Sequence, residues 1–376
     1  MYPNNSNFRE KMMAIFMRKK VDKIVWQPRL EHWYNVNKAR GTLPKKYKDK
    51  DLLEIYDDLG ASVRYYYGSS EDLSEPNTYL KFSYKRGVKV KEIKKSNDIY
   101  IIYETPLGQL RGKKRLGEWG CSCHYTEFPV KSVSDLKILE YMLKNTVAKF
   151  DYEFYKEAEN KIGNRGVIQF YFERSPLQNC MLFYMGIENT IYALHDFPKR
   201  MEEFLKIAEE AQDQMYEVLE KCPVSVLNFG ENIDARIDAP SIFREYLLPY
   251  YQRKVGQLHK AGKFCHIHMD GAIKPLLPFI NETVFDGIEA ATPLPQGDVT
   301  LEELKEAIGD IILLDGIPAI LFLPDYPSEK LEKFAVKVLK LFSPNLILGI
   351  SDELPPSGDI EKVKFMSQIV EAFKIL

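Results

Sequence analysis

From residue 134 to the C-terminus, short apolar runs alternate with longer segments of helical period. The strand-like runs are 166–172, 224–229, 264–267, 285–290, 311–314 and 346–349. Between and around them, residues 134–144, 152–162, 199–221, 241–262, 274–280, 301–308, 328–342 and 360–375 carry apolar positions three and four apart and read as helices. Gly262 stands where a helix stop belongs. Upstream, 8–20 reads as an amphipathic helix, 23–27 as a short strand ended by Pro28, and 51–59 as a helix. Repeated strand-then-helix units imply parallel pairing with right-handed crossovers. The expected fold is α/β, a (β/α)8 TIM barrel with N-terminal helices. A doubly wound sheet fits the same alternation, but no glycine-rich phosphate loop supports its nucleotide-binding version.

Residues 79–112 have a different character. Alternating segments at 80–84, 88–93, 99–103 and 109–111 are separated by turn signals at Arg86-Gly87 and Pro106-Leu107-Gly108. This pattern predicts an antiparallel β-meander. The chain is accordingly expected to be one barrel domain, 1–376, with 79–130 as a β-rich insertion or cap.

Length supports a single elaborated barrel, since 376 residues lie within the roughly 250–400 that such a domain uses. A formal net charge of −2 argues against a nucleic-acid partner, and the lysine-rich stretches 45–50 and 89–95 read as solvated faces. No stretch offers the ~18 apolar residues of a membrane span, and the first twenty residues lack the apolar core of a secretory signal. Five cysteines, 121, 123, 180, 222 and 265, are too few and unevenly spaced for a disulfide framework and suit a reducing cytoplasm. A homodimer is an open expectation, because no apolar stripe stands apart from the core.

In such a barrel the chemistry sits at the C-terminal ends of the strands. Four expected strand ends carry imidazoles or carboxylates: Glu231 and Asn232; His266, His268 and Asp270; Glu289; and Asp352 with Glu353. In an extended segment, residues i, i+2 and i+4 share a face, so His266, His268 and Asp270 point the same way. Two readings stand side by side. A divalent metal satisfies the cluster, or the imidazoles simply hydrogen-bond within a polar mouth. Cys121-Ser122-Cys123-His124 lies outside the β/α region, and its thiols read as structural. His195 and His259 read as packing or surface residues. Trp33, Tyr34, Phe172 and Tyr184 could stack on an aromatic ligand or equally fill core. No Ser-His-Asp arrangement is visible.

Residues 229–271, with Ala239-Pro240-Ser241-Ile242-Phe243-Arg244-Glu245-Tyr246, Leu248-Pro249-Tyr250, Lys260-Ala261-Gly262 and the His-rich strand in that order, resemble the uroporphyrinogen decarboxylase-like superfamily. Asp286-Gly287-Ile288-Glu289, Pro295-Gln296-Gly297-Asp298 and residues 349–356 continue the resemblance. Residues 29–47 resemble the start of an anaerobic subgroup linked to O-demethylation. The Arg-Gln-Ala-Gly-Arg type segment with which the decarboxylases grip a tetrapyrrole is absent. Arg29 alone remains there as a substrate contact, too little for four pairs of carboxylates.

The resemblance therefore implies the corrinoid-dependent methyltransferase branch. Members of that branch hold zinc with a His-x-Cys pair and a late Cys. The matching positions here are His268, Asp270 and Asp352, so both thiolates are replaced by carboxylates. Such ligation makes a harder Lewis acid, suited to polarising an ether oxygen. The implied candidates are Glu231, His266, His268, Asp270 and Asp352 for the metal, Glu231 and His268 as catalytic residues, and Arg29, Trp33, Tyr34, Tyr184 and Asn232 for substrate. The implied reaction moves a methyl group from a methoxylated aromatic compound to the Co(I) corrinoid of a partner protein, since the chain has no recognisable corrinoid-binding motif. The alternatives are a decarboxylase acting on another substrate and a non-catalytic binding barrel.

Overall fold

The computed structural model describes residues 7–66, 79–120 and 122–375. In chain order its strands are β1 (Val25–Trp26), β2 (Leu80–Tyr84), β3 (Lys89–Lys95), β4 (Asp98–Thr105), β5 (Gly108–Leu116), β6 (Cys123–Glu127) and β7 (Thr146–Phe150), followed by β8 (Val226–Ile233), β9 (Phe264–Met269), β10 (Gly287–Glu289), β11 (Ile312–Pro318) and β12 (Leu346–Ser351). The chain packs as two compact units. The first comprises 1–68, 155–171 and 224–376; the second comprises 69–154 and 172–223.

The first unit holds a six-stranded sheet of order β1-β12-β11-β10-β9-β8, parallel throughout. β11 and β12 are almost continuously apolar and buried, as strands covered on both faces require. The long amphipathic helices Leu301–Ile308, Ser328–Phe342 and Ile360–Ala372 supply the cover. The first is pinned by a capping box in which Thr300 and Glu303 exchange side-chain and backbone hydrogen bonds.

Among the described residues, regular strands account for six of the eight expected. Two further extended segments carry the edges onward without regular pairing. The Ser62 amide donates to the Trp26 carbonyl of β1 at 2.8 Å, and the Val63 amide donates to the Arg165 carbonyl at 3.0 Å. Isolated parallel bridges then join Tyr65 to Gln169, and Tyr171 to Asn228 of β8. The expected strand 166–172 thus exists only as these contacts. Gly166 shows how close the backbones run, since a Cβ there would lie 2.0 Å from the Val63 carbonyl oxygen.

The N-terminal helix Phe8–Phe16 buries Met12, Ile15 and Phe16 in one cluster with Val25, Val226, Ile312 and Ile347. These last four are first or second residues of their strands. The helix therefore covers the N-terminal strand ends and leaves the C-terminal ends to the polar residues.

In the second unit, β3-β4-β5-β6 form a four-stranded antiparallel sheet. Its buried face packs Val88, Ile101, Tyr103 and Leu110 with Leu136, Leu139 and Met142 of helix Leu136–Lys144. The meander differs from expectation at its start. β2 pairs antiparallel with β7, from Leu80↔Phe150 to Tyr84↔Thr146, instead of joining its sequence neighbour β3. It gains β6 at its other end. Helices Ile187–Asp196 and Pro198–Lys221 complete the unit. Among the described residues, no helix is long and apolar enough to cross a membrane.

Candidate active site

A buried carboxylate, Glu289, is the hub at the C-terminal ends of the first unit's strands. It closes β10 and is fully buried. Its Oε1 accepts from Arg64 Nη1 at 2.7 Å and from the Tyr65 hydroxyl at 2.7 Å. Its Oε2 accepts from Asn228 Nδ2 and lies 3.2 Å from His268 Nδ1. Burial alone would raise this carboxyl, but Arg64 and the His268 hydrogen bond outweigh it and hold Glu289 well below the usual range.

Arg64, 1% exposed, is the largest buried polar side chain here. It donates to Gln27 Oε1 at 2.8 Å and to Asp315 through Nη2 at 2.7 Å and Nη1 at 3.2 Å, as well as to Glu289. Burial pushes the Asp315 carboxyl up, against the pull of Arg64. Space for Asp315 comes from Gly349 on the neighbouring strand, where a Cβ would stand 2.3 Å from Asp315 Oδ1.

His266 and His268 do share a face of β9, as the alternation predicts, because both approach the same Glu289 oxygen, at 3.9 and 3.2 Å. Their environments differ. His266 is fully buried, its Nε2 lies 2.6 Å from Gln169 Oε1, and its Nδ1 has no hydrogen-bond partner. Burial pushes its imidazole down to about 3. His268 sits higher, edge-on to the Tyr171 ring at 6.2 Å, with Nε2 at 4.0 Å from Asp270 Oδ1 and 3.9 Å from Asp352 Oδ1. Burial would lower His268, but Asp352 and Glu289 raise it above its ordinary value.

Arg29 closes the other side. It is paired with Asp352 and lies 3.3 Å from Glu353 and 3.8 Å from Glu289. Its guanidinium stands 5.2 Å above the Tyr65 ring. Burial pushes Glu353 up. The side chains of Asp270 and Asp352 remain 39% and 41% exposed, so the outer layer of the site is acidic.

The structure thus brings together Arg29, His266, His268, Asp270 and Asp352 of the expected site residues. The other candidates have different surroundings. Glu231 is buried and accepts from the Tyr251 hydroxyl at 3.0 Å. Asn232 is exposed and has a left-handed backbone, φ 56°. Trp33 donates its indole N–H to the Gly358 carbonyl at 3.2 Å and packs edge-on to Tyr47. Tyr34 donates to the Lys50 carbonyl at 3.1 Å. Tyr184 and Phe172 belong to the second unit, Tyr184 within its apolar core and Phe172 edge-on to Tyr216. Cys123 is half-buried, while Cys121 lies outside the described residues.

Zinc ligands sharing one tetrahedral ion at ~2.1 Å stand about 3.4 Å apart. His268 Nε2 stands 4.0 Å from Asp270 Oδ1 and 3.9 Å from Asp352 Oδ1, wider than that. Among the described residues, no group of three His, Cys, Asp or Glu side chains is gathered closely enough to hold an ion as it stands. The donor chemistry nevertheless suits one: an imidazole nitrogen faces two half-exposed carboxylates, and its other nitrogen is held by a third.

Sequence reasoning missed Arg64, Tyr65, Asn228, Asp315 and Gln169. One signal was available, because Asp315 is a lone charge inside the apolar run 311–318.

The sequence profile of the family described as Uroporphyrinogen decarboxylase (URO-D) matches residues 128–373. No curated protein matches the chain. Among solved structures, it is similar to a methyltransferase from Methanosarcina mazei, with a TM-score of 0.59, 15% identity, and coverage of 96% of this chain and 98% of that one. A B12-independent methionine synthase from Shewanella sp. W3-18-1 is matched with a TM-score of 0.38 and 12% identity, over 88% of this chain and 89% of that one. At such identity the first likeness is one of fold.

Proposed function

The chain belongs to the uroporphyrinogen decarboxylase (URO-D) family, and on that premise we propose that it is a methyltransferase, not a tetrapyrrole decarboxylase. The observation that carries this reading is the charge of the strand-end site. Its outer side chains, Asp270, Asp352 and Glu353, are carboxyls, and the arginine among them, Arg29, is already ion-paired to two of these. A porphyrinogen bearing four pairs of carboxylates would meet like charge there. A neutral or singly charged methyl donor would not. We further read the six regular strands, with 61–65 and 167–171, as the eight segments of a barrel whose C-terminal face holds the site.

In this reading the substrate is a methoxylated compound, in the first instance aromatic. The methyl acceptor is a Co(I) corrinoid carried by a separate protein. His268, Asp270 and Asp352 are the side chains that would hold a divalent ion, zinc in the first instance. When bound, the ion would act as a Lewis acid toward the ether oxygen. Glu289 orients the His268 ring, and Arg64 keeps Glu289 charged without exposing it to water. Arg29 offers a cation to an anionic substituent of the substrate once Asp352 is engaged elsewhere. The Tyr65 and Tyr171 rings, stacked with centroids 4.8 Å apart, give that side of the site an aromatic wall.

The test has two stages. Purified protein is analysed for metals by inductively coupled plasma mass spectrometry, before and after zinc reconstitution, alongside His268→Ala. About one zinc per chain, lost in the variant, is expected. Methyl transfer from methoxylated aromatics to free Co(I) cobalamin is then followed by its visible spectrum. A wild-type protein that takes up no metal, or a variant that keeps both metal and full transfer, overturns the assignment.

A further inference from the structure

His266 and His268 are two residues apart on one strand and face the same carboxylate oxygen, yet their hydrogen-bond partners differ in kind. We infer that Glu289, itself held by Arg64, is a positioning residue that fixes the tautomer of His268, and that the two histidines carry their protons on opposite nitrogens.

An ionised carboxylate only accepts, and a guanidinium only donates. Arg64 and Tyr65 occupy Oε1 of Glu289, and Asn228 donates to Oε2. Any ring nitrogen within hydrogen-bond distance of that carboxylate must then donate to it. His268 Nδ1, at 3.2 Å, therefore carries a proton. In the neutral ring the lone pair is left on Nε2, the nitrogen that faces Asp270 and Asp352.

For His266 the accepting partner is on the other nitrogen. With the Gln169 amide turned so that its Oε1 faces Nε2 at 2.6 Å, the proton sits on Nε2. Its Nδ1 then has only a lone pair, and it stands 3.9 Å from Glu289 Oε2 without a hydrogen bond. Exchanging the two tautomers would set a lone pair of His268 against an anion. It would also leave His266 without a donor for Gln169. Acceptors at different depths of the strand, the Glu289 carboxylate and the Gln169 amide oxygen, set the two tautomers.

The consequence concerns the same His268 that the functional reading uses, and it rests on that placement of the site. Metal ligation and proton abstraction at the mouth both need a lone pair on Nε2. With the alternative tautomer that nitrogen would present a hydrogen.

Long-range proton–nitrogen spectra of protein labelled with nitrogen-15 histidine report each ring's tautomer directly. His268 is assigned with His268→Gln, and spectra are followed through an alkaline titration until its ring is neutral. In wild type we expect protonated Nδ1 for His268 and protonated Nε2 for His266. Glu289→Gln should move His268 to a mixture or to the Nε2-protonated form and leave His266 unchanged, which also serves as the internal check on folding. Glu289→Asp should restore part of the wild-type pattern. A wild-type His268 protonated on Nε2 overturns the inference, as does an unchanged His268 in folded Glu289→Gln. Should the variant not fold, the wild-type spectrum decides alone. No metal, methyl donor or partner enters this test, so its failure is distinct from failure of the methyltransferase reading.

Discussion

Arg64→Met should be among the most costly single changes in this chain. The methionine fills much of the same volume but removes a guanidinium that is 1% exposed and lies between two fully buried carboxylates. Glu289 would keep the donors Tyr65, Asn228 and His268. Asp315 would keep the Ala290 amide at 3.2 Å. Removing one partner of a buried ion pair costs about 3–5 kcal/mol, and two carboxylates depend on this one cation. The loss is bounded because a carboxyl can take up a proton instead of remaining a buried anion. That escape sets the sign of the pH dependence. Removing Arg64 raises both carboxyls relative to wild type, where burial already holds Asp315 up, so the folded variant binds more protons than folded wild type and its deficit grows as pH rises. The deficit should therefore be larger at pH 8 than at pH 5. Urea unfolding followed by circular dichroism at the two pH values reads it, with a midpoint shift on the order of 1 M at pH 8. A deficit below about 1 kcal/mol at pH 8, or one that does not grow with pH, would refute the account.

Other perturbations test other parts of the structure. Burial pushes Glu173, which lines a small cavity with Phe82, Leu143, Ala148 and Met215, up to about 7. Because its folded value exceeds its unfolded one, wild type should lose on the order of 1–3 kcal/mol relative to Glu173→Gln as pH rises from about 4.5 through 7; parallel thermal melts across that range would show equal slopes if the carboxyl is in fact well solvated. Gly166→Ala places a methyl 2.0 Å from the Val63 carbonyl, forcing apart the two segments that extend the sheet. A loss of about 1–3 kcal/mol or more in urea unfolding is expected, and an unchanged midpoint would show that those backbones are not so close. Gly349→Ala meets Asp315 Oδ1 at 2.3 Å and should lower stability at neutral pH; the double variant with Arg64→Met should cost less than the sum, and strict additivity would show that the glycine does not act through Asp315.

The β/α alternation was readable because each helix and strand has its own local period. Helices Leu301–Ile308 and Ser328–Phe342 coincide with the segments read from sequence. Alternation along β9 likewise put His266 and His268 on one face before any contact was known. Pairing was harder to read. The segment 80–84 was recognisable as a strand, but its partner lies at 146–150, and nothing in either segment's own pattern names the other. The segment 61–65 is too short and irregular for a period to identify it, although it carries Arg64 and Tyr65; 166–172 was readable as a strand, but not the neighbours it meets.

By itself, then, the sequence determined the class of fold, the order of its elements, and which strand ends would carry imidazole and carboxylate. These follow from side-chain periodicity and turn chemistry, which act over a few residues. Packing in three dimensions sets that Arg64 joins Glu289 to Asp315, that Arg29 pairs with Asp352, and that Glu231, Trp33 and Tyr34 bond to Tyr251, Gly358 and Lys50. The Arg64 pairings depend on charges more than two hundred residues apart along the chain meeting in a fully buried space, where an unpaired ion is so costly that each must find its counterpart.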